Sequence, residues 1–235
     1  LIIGLTVWGK LSSKLLKIPQ PTDNIHTCVI GFSNTGFMGV PILLAMFPEK
    51  AVSFVALYII ADSVLLWTIV PVLANPQNNG KIYLKKLISP TTVAAIIGII
   101  FVLLDFKPDF VPWKAVTYVG DASKYVAMMY IGADLGRKGF GKIFSRPLVF
   151  TTILIKLIIA PILTYIIFST TGIFDHDFVM MFTIISMLPC MVAISMVARN
   201  YGSDDDYGSA AVLTTSIASI FTMPVMTWVI EKIFV

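Results

Sequence analysis

Long apolar runs constrain this chain of 235 residues more than any other feature. A helix crosses a bilayer with about 20 apolar residues, and seven runs approach or exceed that length, while the first is shorter. The runs cover residues 1–16, 25–47, 51–74, 88–105, 113–135, 148–168, 177–199 and 208–230. With 57% hydrophobic and 13% charged residues, the chain is predicted to be an all-α integral membrane protein. A soluble enzyme is excluded.

The basic residues predict the orientation, because lysine and arginine concentrate in cytoplasmic loops. They are most frequent in alternate connections, at 10–17, 81–86, 137–146 and 199. We therefore expect a multi-pass protein of the cell membrane with its C-terminus outside. The net charge of +4 requires no nucleic-acid partner. The chain begins within an apolar stretch, which we interpret as the end of a cut transmembrane helix. If a first repeat has five helices like the second, we expect a truncated form that lacks two N-terminal helices.

Two segments of the chain share one pattern of prolines. In residues 25–74 and 177–230, the first predicted helix contains a proline deep inside it (Pro41, Pro189), and so does the second (Pro71, Pro224). The charge bias places the two copies in opposite orientations. Inverted repeats with interrupted helices are typical of secondary transporters. We predict core helices of a first repeat over 1–74, scaffold helices of a second over 88–135, and its core helices over 148–235.

The sequence SNTGFMGVP, residues 33–41, is the more polar of the two predicted breaks. Proline removes a backbone donor and clashes with the preceding turn, and glycine tolerates the resulting conformations. We expect about one turn around 36–39 to be unwound; a simple proline kink with small-residue packing is the alternative. The candidate substrate-binding residues here are Ser33, Asn34, Thr35, Gly36, Gly39 and Pro41. The second break contributes Pro189, Cys190 and Ser195.

Four ionisable residues lie at membrane depth within the predicted spans, where such residues usually face the protein interior. Lys156 could pair with Asp62 across helices, attract an anionic substrate, or extend to the membrane surface. Asp121 and Lys124 are spaced to form an ion pair on one helix face. We consider Asp62, Asp121 and Lys124 candidates for proton or ion coupling, and Lys156 a candidate substrate-binding residue. No residue pattern indicates a cofactor or a metal.

Residues 34–48 (NTGFMGVPILLAMFP) and 187–224, beginning MLPCMVAIS, resemble the two signature regions of the auxin efflux carrier family. Residues 88–104 and 119–136 resemble its middle region. The resemblance implies ten spans in two inverted five-helix repeats, similar to bile-acid sodium symporters. It also maps the family's carboxylate-contacting asparagine onto Asn34 and its crossover prolines onto Pro41 and Pro189. Relatives often have a proline where this chain has DASKYV, around Lys124.

We therefore expect a secondary transporter that moves a small organic anion, such as malate, malonate or an auxin-like acid, by alternating access. H⁺ or Na⁺ could be the coupling ion, and the protein could be a homodimer. One alternative is a membrane-embedded ligand sensor that uses a transporter fold without net transport. An intramembrane aspartyl protease using Asp62 and Asp134 is the least favoured alternative, and we expect no enzymatic activity.

Overall fold

The computed structural model describes residues 1–75, 90–104, 106, 108–139 and 146–234, and within these ranges it is helical. Three helices are long and apolar enough to cross a membrane: Ala51–Ala74, Leu148–Thr171 and Asp205–Ile233. These confirm the spans predicted at 51–74, 148–168 and 208–230. The predicted cytoplasmic connection with basic residues at 81–86 lies outside the described residues, as do Lys107 and Lys142.

The helices follow one another in a simple order. They are α1 (Ile2–Leu15), α2 (Thr22–Gly31), α3 (Val40–Met46), α4 (Ala51–Ala74), α5 (Pro90–Leu103), α6 (Val111–Lys138), α7 (Leu148–Ile153), α8 (Ala160–Thr171), α9 (His176–Met187), α10 (Val192–Asn200) and α11 (Asp205–Phe234). A first π-turn, Thr35–Gly39, precedes α3, and a second, Leu154–Ile159, joins α7 to α8. The predicted spans at 25–47 and 177–199 are each divided into two shorter helices.

Each π-turn is followed after one residue by a proline, Pro41 or Pro161. The backbone N–H of Val40 bonds to the carbonyl of Thr35, five residues earlier. This wider hydrogen-bond pattern lets a helix continue into a proline that supplies no N–H of its own. Pro71 and Pro224 likewise lie inside continuous helices.

The first break lies earlier in the chain than we predicted. Residues 36–39 are helical, and the extended residue is Phe32, between the end of α2 and Asn34. The expectation of an unwound turn at Gly36 and Gly39 is therefore wrong, because the π-turn accommodates Pro41 without unwinding. The second break falls at Pro189 as predicted: Leu188 is extended, as expected for a residue before proline.

The exposed surface of the helices is apolar. On α1, for example, Ile3, Val7, Leu11 and Leu15 recur every fourth residue and are exposed, whereas the opposite face packs against α2. A Cβ atom on Gly9 would lie 2.8 Å from the carbonyl oxygen of Thr27 on α2. Helices with small residues at the contact and apolar side chains outside are the arrangement expected in lipid.

Candidate functional site

The two broken helices meet at their breaks. The backbone N–H of Asn34 donates to the carbonyl of Pro189 over 2.9 Å, and Ser33 pairs with Cys190 as an isolated antiparallel bridge. Both segments are buried. Backbone groups freed from a helix at membrane depth need partners within the protein. Here each break supplies a hydrogen-bond partner for backbone groups of the other.

Thr215 of α11 holds the second break from a third direction. Its hydroxyl accepts a hydrogen bond from the backbone N–H of Cys190 over 3.1 Å and donates to the carbonyl of Ala211 over 2.6 Å. The backbone at the crossing is therefore fixed by helices on both sides rather than by the two breaks alone.

Lys156 is the charged residue closest to the first break in the described structure. Its side chain is fully buried, and its ammonium donates to the carbonyl of Ile30 over 2.7 Å and to the hydroxyl of Ser33 over 2.9 Å. The carbonyl of Ile30 belongs to the C-terminal end of α2, where the helix dipole favours a cation. Lys156 therefore stabilises the end of the interrupted helix, and extension to the membrane surface is excluded.

The predicted direct pair of Lys156 with Asp62 is not among the described ion pairs. Asp62 lies on the buried face of α4, 4% exposed, and its Oδ1 atom has no hydrogen-bond partner among the described residues. The two residues are nevertheless close enough for their charges to interact. Asp62 thus remains a buried carboxyl near the crossing, with Lys156 as its neighbouring opposite charge.

A cavity of about 620 Å³ lies beside the crossing. Its walls come from the first break, α4, α6 and the start of α10, and they are mainly apolar. The lining residues are Asn34, Gly36, Phe37, Leu66, Trp67, Val119, Ala122, Ser123, Val126, Ala127, Met191, Val192, Ala193 and Met196. The volume suits a small organic molecule.

Asn34 is the polar residue of the crossing that reaches this cavity. Its backbone N–H bonds to Pro189, but its side-chain amide makes no hydrogen bond among those found in the described residues. The amide offers two donors and one acceptor without a buried charge. It is therefore available to a ligand.

Two helix N-termini also reach the cavity. The helical segment Thr35–Met46 begins directly after Asn34, and the nine-residue helix α10 begins at Val192. Backbone N–H groups and the positive end of the helix dipole favour anions at such positions. The cavity thus combines an apolar wall with a small polar region suited to a negative group.

The other predicted binding residues lie around the cavity rather than in it. Ser33, Thr35, Cys190 and Ser195 are buried, and the hydroxyl of Ser195 donates to the carbonyl of Val192 over 3.2 Å. Gly39 permits close packing of the two breaks, since a Cβ atom there would lie 2.7 Å from a methyl group of Leu188. Pro41 is exposed, and Pro189 is buried at the crossing.

The predicted ion pair on α6 is only partly described. Asp121 is exposed, and the side chain of Lys124 lies outside the described residues. Asp134, the second residue of the protease alternative, is 3% exposed. Its carboxylate accepts hydrogen bonds from Arg137 over 2.7 Å, Arg199 over 3.3 Å and Ser209 over 2.7 Å. A carboxylate paired with two arginines does not fit a protease dyad, in which two carboxyl groups share one proton.

A network of buried, hydrogen-bonded polar side chains was not predicted from the sequence. His26 of α2 lies 3.0 Å from the hydroxyl of Ser12 and 2.7 Å from that of Tyr207, which in turn lies 2.7 Å from the hydroxyl of Thr152. This hydrogen-bond network joins four helices, α1, α2, α7 and α11. A histidine within an apolar run was the available signal, but its partners are up to 181 residues away.

Fold and site together define an α-helical membrane protein in which two interrupted helices meet beside a cavity. The model of the membrane transport protein family matches residues 1–227, and the chain belongs to this family, as the resemblance to auxin efflux carriers implied.

The chain is 22% identical over 210 residues to a protein of Rhizobium meliloti (strain 1021) named "Putative malonate transporter"; the match covers 86% of this chain and 65% of that protein. It is 30% identical over 111 residues to "Uncharacterized transporter MJ1031" of Methanocaldococcus jannaschii; that match covers 45% of this chain and 36% of the other. The chain thus spans less than two thirds of the length of these relatives.

Proposed function

We propose that this protein is a secondary transporter that moves a small organic carboxylate across the cell membrane, with its C-terminus outside. The observation that carries the proposal is that Asn34 lines a cavity at the meeting point of two interrupted helices, with no side-chain hydrogen bond among those of the described residues. The family match supports transport, and the name of the Rhizobium meliloti relative supports malonate as the first substrate to test.

Recognition of the carboxylate is divided among three parts of the site. Asn34 donates hydrogen bonds from its amide, and the N-termini at Thr35 and Val192 supply backbone dipoles. Lys156, behind the first break, adds positive potential without lining the cavity itself. This arrangement attracts a negative group while keeping the fixed cation bound to the protein.

The apolar wall receives the rest of the substrate. Trp67 and Phe37 contribute aromatic surface, and Met191 and Met196 contribute flexible thioether side chains that adapt to different shapes. The wall favours substrates with an apolar body, such as an indole-acetate, as well as the smaller dicarboxylates.

Alternating access requires one part of the protein to move against another. In this proposal the inverted repeats form a core that contains the crossing, in a fold of the bile-acid symporter type, and α6 belongs to the scaffold. The cavity lies where α6 faces the core, so relative motion of the two would open it to alternate sides. A homodimer formed through the scaffold is compatible with this movement.

The test is uptake of labelled malonate, malate and indole-acetate by full-length protein in proteoliposomes. We expect Asn34→Ala to reduce uptake of the transported carboxylate at least about tenfold, since losing hydrogen bonds to a charged group costs about 1.5–3 kcal/mol. Asn200→Ala is the matched control, because Asn200 is exposed at the end of α10.

Wild-type uptake with an unaffected Asn34→Ala variant would contradict the assignment of the site. Saturable binding without flux would instead indicate the ligand sensor, and the absence of both binding and flux for all three acids would reject an organic carboxylate as substrate.

A further inference from the structure

Asp62 is a buried carboxyl group with an incomplete set of partners. It lies on the α4 face formed by Tyr58, Asp62 and Leu66, and Leu66 lines the cavity one helical turn away. Its Oδ1 atom is buried and has no hydrogen-bond partner among the described residues. Leaving a carboxylate oxygen in this state is unfavourable, so the site is suited to binding a proton.

Lys156 is the opposite charge that acts on Asp62. Its ammonium is held by Ile30 and Ser33, and the described ion pairs include no direct contact with Asp62. The two charges therefore balance each other through space while the lysine stays attached to the first break. A change of charge on Asp62 thus alters the electrostatic potential at the crossing without breaking any contact.

The elements packed against α4 add no other charge at this position in the described residues. These elements are α2, α3, α5 and α10, and α3 and α5 contain no titratable side chain. His26 of α2 is bonded to Ser12 and Tyr207, and Arg199 of α10 is bonded to Asp134. The remaining titratable groups are Tyr58 on α4, Asp23 and Cys28 on α2, and Cys190 at the second break.

We propose that Asp62 is the proton-binding site of the transporter and that, with Lys156, it couples the movement of one proton to each carboxylate carried. The proposal rests on the proposed transport function. In the empty site, ionised Asp62 balances Lys156. A proton from water binds Oδ1 and neutralises Asp62, so the charge of Lys156 then attracts the carboxylate of the substrate to Asn34.

The cycle balances in both atoms and charge. The proton that binds Oδ1 on one side is released from the same atom on the other, and the carboxylate leaves when Asp62 regains its charge. The empty site carries no net charge from these groups, and neither does the site loaded with a substrate of one ionised carboxylate; malonate, with two ionised carboxylates, leaves one negative charge on the loaded site. For a monocarboxylate this avoids moving an unbalanced charge through a region of low dielectric, whereas uptake of malonate with one proton moves one negative charge, so the assay is run with the membrane potential clamped.

A proton fits this site better than a sodium ion does. Hard metal cations need several oxygen ligands, whereas the feature that marks this site is a single unpartnered carboxyl oxygen, Oδ1 of Asp62. The neighbouring ammonium of Lys156 would also repel a metal cation. Protonation needs only one carboxyl oxygen.

The experiment uses full-length protein in proteoliposomes with malonate as the probe, because malonate crosses lipid poorly as the free anion. With an acidic outside, we expect wild-type vesicles to accumulate malonate against its gradient, with one proton taken up per malonate as reported by an entrapped pH dye. An imposed sodium gradient should give no accumulation. Malonate counterflow at equal pH serves as the measure of carrier movement that needs no gradient.

Asp62→Asn should retain at least about half of the counterflow but lose pH-driven accumulation, whereas Asp62→Glu should retain both. Asp109→Asn is the matched control, since Asp109 is an exposed aspartate outside the predicted spans.

Accumulation by Asp62→Asn equal to that of the wild type, or accumulation driven by sodium, would overturn the coupling role of Asp62 while leaving transport intact. If Asp62→Asn does not fold, the proton count of the wild type decides: a ratio of zero overturns the proposal. Absence of malonate counterflow in the wild type would overturn the proposed function for this acid, and the proton coupling with it.

Discussion

Replacing the buried ammonium of Lys156 tests whether its charge holds the crossing together. Lys156→Met keeps a long side chain but removes both hydrogen bonds, to Ile30 and Ser33, and leaves Asp62 without its opposite charge. Two lost hydrogen bonds from a charged donor, at about 1.5–3 kcal/mol each, cost about 3–6 kcal/mol. Since about 1 kcal/mol shifts the melting temperature of a protein of this size by about 2–4 °C, we expect the apparent Tm to fall by roughly 6–24 °C.

The assay is thermal unfolding of purified full-length protein in detergent, followed by tryptophan fluorescence. The double variant Lys156→Met with Asp62→Asn should recover part of the loss, because it no longer contains an unbalanced buried carboxylate; neighbouring groups of this kind couple by about 0.5–3 kcal/mol. Lys50→Met is the matched control. The ammonium of Lys50 lies 2.7 Å from both Asp175 and Asp177 in an exposed ion pair, so its loss should leave the Tm unchanged.

Two results would refute this reasoning. If Lys156→Met unfolds at the wild-type temperature, the lysine does not stabilise the break. If the effects of Lys156→Met and Asp62→Asn simply add, the two charges do not balance each other.

Three further predictions address packing, pH and specificity. Gly9→Ala should lower the Tm because its Cβ atom would lie 2.8 Å from the carbonyl of Thr27, an overpacking that costs about 1–3 kcal/mol, whereas Gly4→Ala, with no atom within 4 Å, should not lower it; equal effects would show that α1 and α2 adjust freely. Burial opposes ionisation of Asp204, but hydrogen bonds from neighbouring groups outweigh it and lower the pKa of this carboxyl. Its stabilising effect is therefore fully present above about pH 4, the usual value for an aspartate, and is lost progressively as the pH falls through the lowered pKa, so Asp204→Asn should lower the Tm more at pH 7 than at pH 3. A difference at pH 3 as large as that at pH 7 would contradict this assignment. Trp67→Ala should raise the KM for indole-acetate about three- to tenfold through lost aromatic contact with little effect on malonate, and a parallel rise for both acids would show that Trp67 shapes the site for any substrate.

Much of the helical pattern could be predicted from local features. The spans at 51–74, 148–168 and 208–230 follow from apolar length, and the break at Pro189 follows from the conformational restriction that proline imposes on Leu188. The first break lies earlier in the chain than predicted, because a helix can reach Pro41 through either an unwound turn or a π-turn. A π-turn carries the helix into Pro41, and the chain unwinds earlier, at Phe32.

The sequence predicted which residues belong to the candidate site but not which contacts they make. Asn34, Lys156 and Asp62 were singled out because polar groups in apolar runs are costly and need a reason. Which of them would face the cavity, which would bind backbone, and which would lack a partner depends on groups more than 100 residues away in the chain, as with Lys156 and Ile30.

The sequence alone determined that this protein lies in a membrane, that its helices are interrupted, and where its polar groups are placed, because hydrophobicity and proline act locally. Only the tertiary structure decided that Asn34 pairs with Pro189 while its amide stays available, and that Lys156 attaches to the end of α2. Helices in lipid gain little from hydrophobic burial against one another. Their relative positions are set by close packing and by long-range hydrogen bonds, which leave no periodic signal in the sequence.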